Sequence, residues 1–294
     1  MGLMFGDRLN RSWKVAKDSY AVLRSNPSLT LFPVISGIGT IIVSIPFIVA
    51  LAFAGAASGF RGHGQHRFEP LHYAITGAMY FCTYFVVIFF NSALVACAHE
   101  SLQGKQTSIG SGIDAAIKRL PQIIGWTLIA STVGLLLRFI GEQTGIFGRI
   151  ATSLIGLAWN IGVFFVVPCL VIDHESPVAA LKSSVTMLKQ TWGERIILGI
   201  GVSSVIGLLA LFALIPIGIA VALIASGMIA LGVVVIVMAV LYFLVLAVVG
   251  SAINTIYQTA LYLYSRNGTV PEGFSAESLQ GAFASRKPSK IFGR

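Results

Sequence analysis

A chain of 294 residues that is 56% apolar and only 11% charged cannot clothe a water-soluble globule, whose composition runs to roughly a quarter charged residues. Its net charge of +9 would suit nucleic acid only if a folded soluble part carried a basic face, and no polar stretch is long enough to build one. Cys82, Cys97 and Cys169 all lie in apolar runs without a CxxC pair, which excludes a disulfide framework and a cysteine zinc site.

Residues 1–27 form the first element. They carry Arg8, Arg11, Lys14, Lys17 and Arg24, while Phe5, Leu9, Trp13, Ala16, Tyr20 and Leu23 fall on one narrow stripe at about 100° per residue. A basic amphipathic helix with Trp and Tyr on its apolar stripe suits a membrane surface. Packing on the protein's own cytosolic side is the alternative. Asn26-Pro27 ends this helix, because proline pushes the preceding residue out of the helical region. The leader and the apolar run behind it are both too long for a signal peptide, so no cleavage is expected.

Spanning a bilayer takes about 20 predominantly apolar residues. Six stretches qualify: 29–56, 73–98, 122–140, 149–172, 196–224 and 229–263. Pro33, Pro46, Pro168 and Pro216 fall within them, as neighbouring helices permit in lipid. The expected domains are a basic N-terminal helix (1–27), a six-helix transmembrane domain (28–265) and a polar cytosolic tail (266–294).

Orientation follows from lysine and arginine. The N-terminal segment, loop 99–120 (Lys105, Lys118, Arg119), loop 173–195 (Lys182, Lys189, Arg195) and the tail (Arg266, Arg286, Lys287, Lys290, Arg294) together hold 16 of the 20. The opposite side has Arg61, Arg67, Arg138 and Arg149. The positive-inside rule then places both termini in the cytosol, as an even number of spans requires.

The expected outer loops, 57–72, 141–148 and 225–228, are short. The inner connections each hold a short amphipathic helix. One covers 109–120, with Ile109, Ile113, Ala116, Ile117 and Leu120 apolar, Ser111 as cap and Pro121 as stop. The other covers 177–192, with Val178, Leu181, Val185, Leu188 and Trp192 apolar, Ser176-Pro177 at its start, and Lys182 and Lys189 flanking the stripe. The fold class is therefore all-α: three transmembrane hairpins, each preceded by a cytosolic amphipathic helix. A His-Glu-Ser triplet at His99 and again at His174 gives slight support to an internal repeat. In the tail, Asn267-Gly268 and Pro271 break the last helix, and Ser275 caps a further turn with Phe274 and Leu279 as a hydrophobic staple.

Three segments carry a resemblance. Arg8 to Lys17 reads R-x-x-x-SW-x-x-x-K, Phe164 to Glu194 reads FFxVPxLV followed by a Ser-rich helix and LKxTWGE, and Ala260 to Phe274 reads ALYxYxxxGxxPxGF. In these the chain resembles a family of uncharacterised prokaryotic multi-pass membrane proteins, a domain of unknown function. It departs at Asp173-His174-Glu175, where the commoner pattern has a single acid. The resemblance implies six spans and the prokaryotic plasma (inner) membrane; it implies no activity and no functional residues.

Ionisable groups are missing from the cores of all six stretches, whereas proton relays, ion paths and intramembrane catalysis need them there. Asn91, Asn160 and Asn254, one on the second helix of each hairpin, are the principal deep amides, with Gln258 a turn after Asn254. They either bond between helices or form a polar belt around a central cavity for a headgroup or small solute. His99-Glu100 and Asp173-His174-Glu175 mark the cytosolic ends of spans two and four; capping explains them, and an acid–histidine network is the alternative. Neither continues as HExxH. His63, His66, Glu69 and His72 cluster in the first outer loop at spacings that match no metal site. No catalytic residue, metal or cofactor is expected. The expected partners are the bilayer and anionic headgroups at its cytosolic face, with a protein partner or a second copy left open. The leading expectation is a non-enzymatic protein of envelope organisation or lipid handling; a small permease-like transporter and a lipid-acting enzyme are the alternatives.

Overall fold

The computed structural model describes residues 2–59, 69–192, 207, 209–212, 214–276 and 278–279. Among them every regular element is helical: α1 (Gly2–Ser25), a 3-10 turn (Pro27–Thr30), α2 (Leu31–Gly59), α3 (Glu69–Ser101), α4 (Ile109–Lys118), α5 (Leu120–Gln143), α6 (Ile146–Gly162), α7 (Val166–Val171), α8 (Pro177–Trp192), α9 (Leu214–Ala225) and α10 (Ile229–Asn267).

Among the described residues, five segments are long and apolar enough to cross a membrane: Pro27–Ala54, Pro70–Ser101, Leu120–Gln143, Gly148–Val171 and Ile229–Asn267. They correspond to five of the expected stretches. The other, 196–224, lies partly outside the described residues; its described end is a shorter apolar helix within Leu209–Ala225. The surface of these helices is apolar as well as their packed side. Phe53 is 73% exposed, and along α10 Val234, Met238, Leu241 and Val245 are all open. Helices apolar on all faces need lipid around them.

Two compact units interleave along the chain. One comprises Met1–Pro27, Ser101–Lys105 and Met187–Arg294, the other Ser28–Glu100 and Gln106–Thr186.

In the second unit, α4 sits close against the end of α3. A Cβ on Gly112 would come 2.6 Å from Cys97 Sγ, 2.7 Å from Phe32 Cζ and 2.9 Å from the Ala93 carbonyl oxygen, so only glycine permits this approach. Phe32 is fully buried there. The cap of α4 is Ser108 rather than the expected Ser111. Ser108 Oγ accepts from the Ser111 N–H at 3.1 Å, and Ser111 Oγ accepts from the Ser108 N–H at 3.2 Å, a reciprocal capping box built from two serines. Pro121 opens α5 instead of merely stopping α4, because a first turn has no use for its missing N–H. Helices α5 and α6 pack together, with Trp126 and Trp159 stacked at 6.0 Å between centroids. On α2, Gly39 faces Val86 and Phe90 of α3.

In the first unit, α1 and α9 each pack against α10. Gly227, at φ 87°, turns the chain between α9 and α10, and Gly232 lets α10 approach the Ala220 carbonyl. Helix α1 ends at Ser25, before Pro27, as expected. Gly268, at φ 68°, closes α10 as a left-handed cap. Beyond it Ser275 does cap a turn: its Oγ accepts from the Ser278 N–H at 3.2 Å, and Phe274 and Leu279 are buried. Asn26 Nδ2 donates to Ser101 Oγ at 2.8 Å, and the Glu272 N–H donates to the Leu102 carbonyl at 3.1 Å.

The packed sides of α1 and α8 are set by residues other than most of their apolar stripes. On α1 the buried residues are Val15, Ser19, Val22 and Leu23, while Trp13 and Tyr20 are open. On α8 they are Ala180, Ser184 and Leu188, while Val178 is 56% exposed. Each buried face includes a serine, Ser19 bonded to the Val15 carbonyl of its own helix and Ser184 bonded to the Gly162 carbonyl.

Candidate functional site

The most specific local chemistry lies between Gly162 and α8, within the second unit. The run expected to be one helix over 149–172 is broken at Val163–Phe165. Its backbone bonds tighten there: the Phe164 N–H donates to Ile161 at 3.1 Å and the Val166 N–H to Val163 at 3.0 Å. Pro168 contributes by removing a donor, since an N–H at that position would otherwise reach back to Phe164.

Tightening displaces two buried backbone groups. The Gly162 carbonyl loses Val166, and the Phe165 N–H loses Ile161. Ser184 of α8 meets both. Its Oγ donates to the Gly162 carbonyl at 2.7 Å and accepts from the Phe165 N–H at 3.0 Å, with Ser184 wholly buried. In lipid every backbone polar group needs such a partner, so the break and the serine form one device. Sequence reasoning passed over Ser184. Its trace was a small residue one turn from Ala180 and one from Leu188, opposite a proline-bearing span.

The acidic corner follows directly. The Ile172 N–H donates to Pro168 at 2.8 Å and the Glu175 N–H to Cys169 at 3.2 Å. His174 takes the left-handed place between them, at φ 63°. His174 is the second residue past the C-cap Ile172, and its left-handed backbone lets the chain fold back so that the Glu175 N–H reaches the Cys169 carbonyl. The Glu175 side chain accepts from Ser183 Oγ at 3.0 Å. Asp173 and Glu175 are half-buried and His174 is exposed. The corner thus terminates α7 and steers the chain into α8, whose first backbone bond runs from Ala180 to Ser176 at 2.8 Å. Gly125 of α5 faces Pro177 at that start.

His99 and Glu100 close α3, both half-buried. Asn91 is half-buried on α3 and Asn160 is exposed on α6, both in the second unit. Asn254 and Gln258 are half-buried, a turn apart, on α10 of the first unit. His63 and His66 lie outside the described residues; His72 is exposed. Among the described residues no three His, Cys, Asp or Glu side chains gather as a metal set would.

Long apolar helices, apolar outer surfaces and a buried serine repairing a broken span define a multi-pass helical membrane protein. Within that class the chain belongs to a family of unknown function, DUF6159, matched over residues 71–273. The matched region contains the helix break and Ser184 and leaves out the basic segment Arg8–Lys17. No curated protein and no solved structure matches the chain.

Proposed function

We propose that this is a non-enzymatic protein of the prokaryotic inner membrane that acts in envelope organisation or lipid handling. In this reading six spans form three hairpins, α9 with the apolar residues before it completes the fifth span, and both termini lie in the cytosol. The charge distribution supports that orientation, because 16 of the 20 Lys and Arg fall in the segments assigned to the cytosol. Helices α1, α4 and α8 then lie along the inner face, where their cations meet anionic headgroups.

One observation carries the non-enzymatic part. Residues 31–59 of α2, 73–98 of α3, 120–137 of α5, 150–172 across α6 and α7, and 229–265 of α10 contain no Asp, Glu, Lys or Arg. Coupled carriers and intramembrane hydrolases place such groups at depth, because they are costly there unless used. Native mass spectrometry of the protein released from nanodiscs is the test. Retained phospholipid and no other adduct is the expected result. A stoichiometric non-lipid ligand refutes the proposal.

The break at Val163–Phe165 favours a second reading, since discontinuous spans build substrate sites in transporters. The same native mass spectra test it: a retained non-lipid solute would support it, and phospholipid alone would remove it.

A further inference from the structure

The two sides of α1 differ in chemistry. Val15, Ser19, Val22 and Leu23 are buried, and the helix packs against α10. At about 100° per residue, Trp13, Lys17, Tyr20 and Arg24 share one ridge on the opposite side, spaced i, i+4, i+7 and i+11. All four are exposed, Trp13 by 49% and Tyr20 by 52%. Aromatic rings left this open beside cations fit a boundary that is apolar at one depth and polar at the next.

The ridge carries charge of one sign. Asp18, the acid between Trp13 and Arg24, lies off the ridge and is occupied. Its Oδ2 accepts from Ser278 Oγ at 2.6 Å, from the Ser275 N–H at 3.2 Å and from Ser275 Oγ at 3.3 Å. Gly273 lies directly against Val22, where a Cβ would come 2.6 Å from Cγ2. This clasp ties the chain beyond α10 to one flank of α1 and fixes the helix's roll. The chain's own C-terminal residues are poor cover for the ridge, because 280–294 hold Arg286, Lys287, Lys290 and Arg294 and no acid.

We propose that the ridge Trp13–Lys17–Tyr20–Arg24 docks on the anionic headgroup layer of the bilayer that holds α10, with the Asp18 clasp setting the angle of approach. The proposal rests on the membrane reading above. It replaces the stripe read from sequence, whose Leu23 is buried, with a face rotated toward Lys17 and Arg24. Each cation near an anionic surface strengthens attachment about fivefold, so the pair contributes roughly thirtyfold.

The test uses the full chain in nanodiscs of phosphatidylcholine and of equal parts phosphatidylcholine and phosphatidylglycerol. The fluorescence difference between the wild type and Trp13→Phe isolates Trp13 from the other three tryptophans. In the anionic discs the Trp13 signal shifts to the blue and is shielded from acrylamide. Lys17→Gln/Arg24→Gln, scored against its own Trp13→Phe version, loses the shift with helical content unchanged, and Lys118→Gln keeps it. An identical Trp13 signal in both bilayers, or a shift that survives loss of both cations, overturns the proposal. A Trp13 shielded equally in both bilayers does not depend on anionic headgroups and overturns it too. A chain that enters neither disc defeats the membrane reading, a result distinct from either.

Discussion

Ser184→Ala tests whether the helix break is held by one hydroxyl. The change removes two hydrogen bonds, at 2.7 Å to the Gly162 carbonyl and 3.0 Å to the Phe165 N–H, at a position with no exposure. A buried group stranded without a partner costs about 1–3 kcal/mol. Hydrogen bonds in membrane bundles contribute less, about 0.6 kcal/mol on average and up to about 1.7. Two stranded groups with some backbone relaxation therefore amount to about 2 kcal/mol. At about 2–4 °C per kcal/mol for a unit of this size, the Tm falls by roughly 4–8 °C. Tryptophan fluorescence during thermal unfolding in detergent reads this directly, because the Trp126–Trp159 stack belongs to the same unit. Ser184→Cys, with a weaker donor of similar size, should fall between wild type and alanine. Ser183→Ala is the control, losing one half-buried bond to Glu175. If Ser184→Ala melts within about 1 °C of wild type, the break is held by packing and the role given to Ser184 is wrong.

Gly112→Ala should destabilise the second unit by about 1–3 kcal/mol, because the new methyl meets Phe32, Cys97 and the Ala93 carbonyl. Cys97→Ala should rescue it only in part, since the carbonyl stays; a neutral Gly112→Ala would show that α4 is not seated there. At position 174, with φ 63°, valine should cost about 1–2 kcal/mol and glycine should be neutral or stabilising, both read by thermal melts. Equal Tm values for the valine and glycine variants would contradict the left-handed turn at His174. Asp18→Ala should release the turn at Ser275, raising hydrogen exchange at the Ser275 and Ser278 amides at least tenfold, as expected for the loss of about 1.5–3 kcal/mol of charge-assisted bonding.

Elements governed by local chemistry were legible in the sequence. The long apolar runs announced their helices, Pro27 ended α1, Gly268 ended α10, and Ser275 with Phe274 and Leu279 built the last described turn. Features that depend on a distant partner were not. Ser111 was expected as the cap of α4, and Ser108 takes that place with Ser111 answering it three residues on in a reciprocal pair. Hydropathy read 149–172 as continuous, since the break exchanges backbone bonds for a serine on another helix and leaves composition unchanged. The packed side of α1 was not legible for a similar reason: Ser19 lies in it, its Oγ bonded to the Val15 carbonyl at 2.9 Å, and a polar residue gives no apolar signal. At the corner Asp173-His174-Glu175 capping was the leading expectation, and its backbone turns the chain from α7 toward α8 with His174 left-handed.

The proposed topology is the statement on which the rest depends, and reporter fusions in a bacterial host test it most directly. Alkaline phosphatase and a cytosolic fluorescent protein would each be fused after Gln103, Thr144, Glu175, Ser226 and Arg294. The account predicts phosphatase activity after Thr144 and Ser226, and fluorescence after Gln103, Glu175 and Arg294. Phosphatase activity at Arg294, or fluorescence at Ser226, would contradict six spans with both ends in the cytosol.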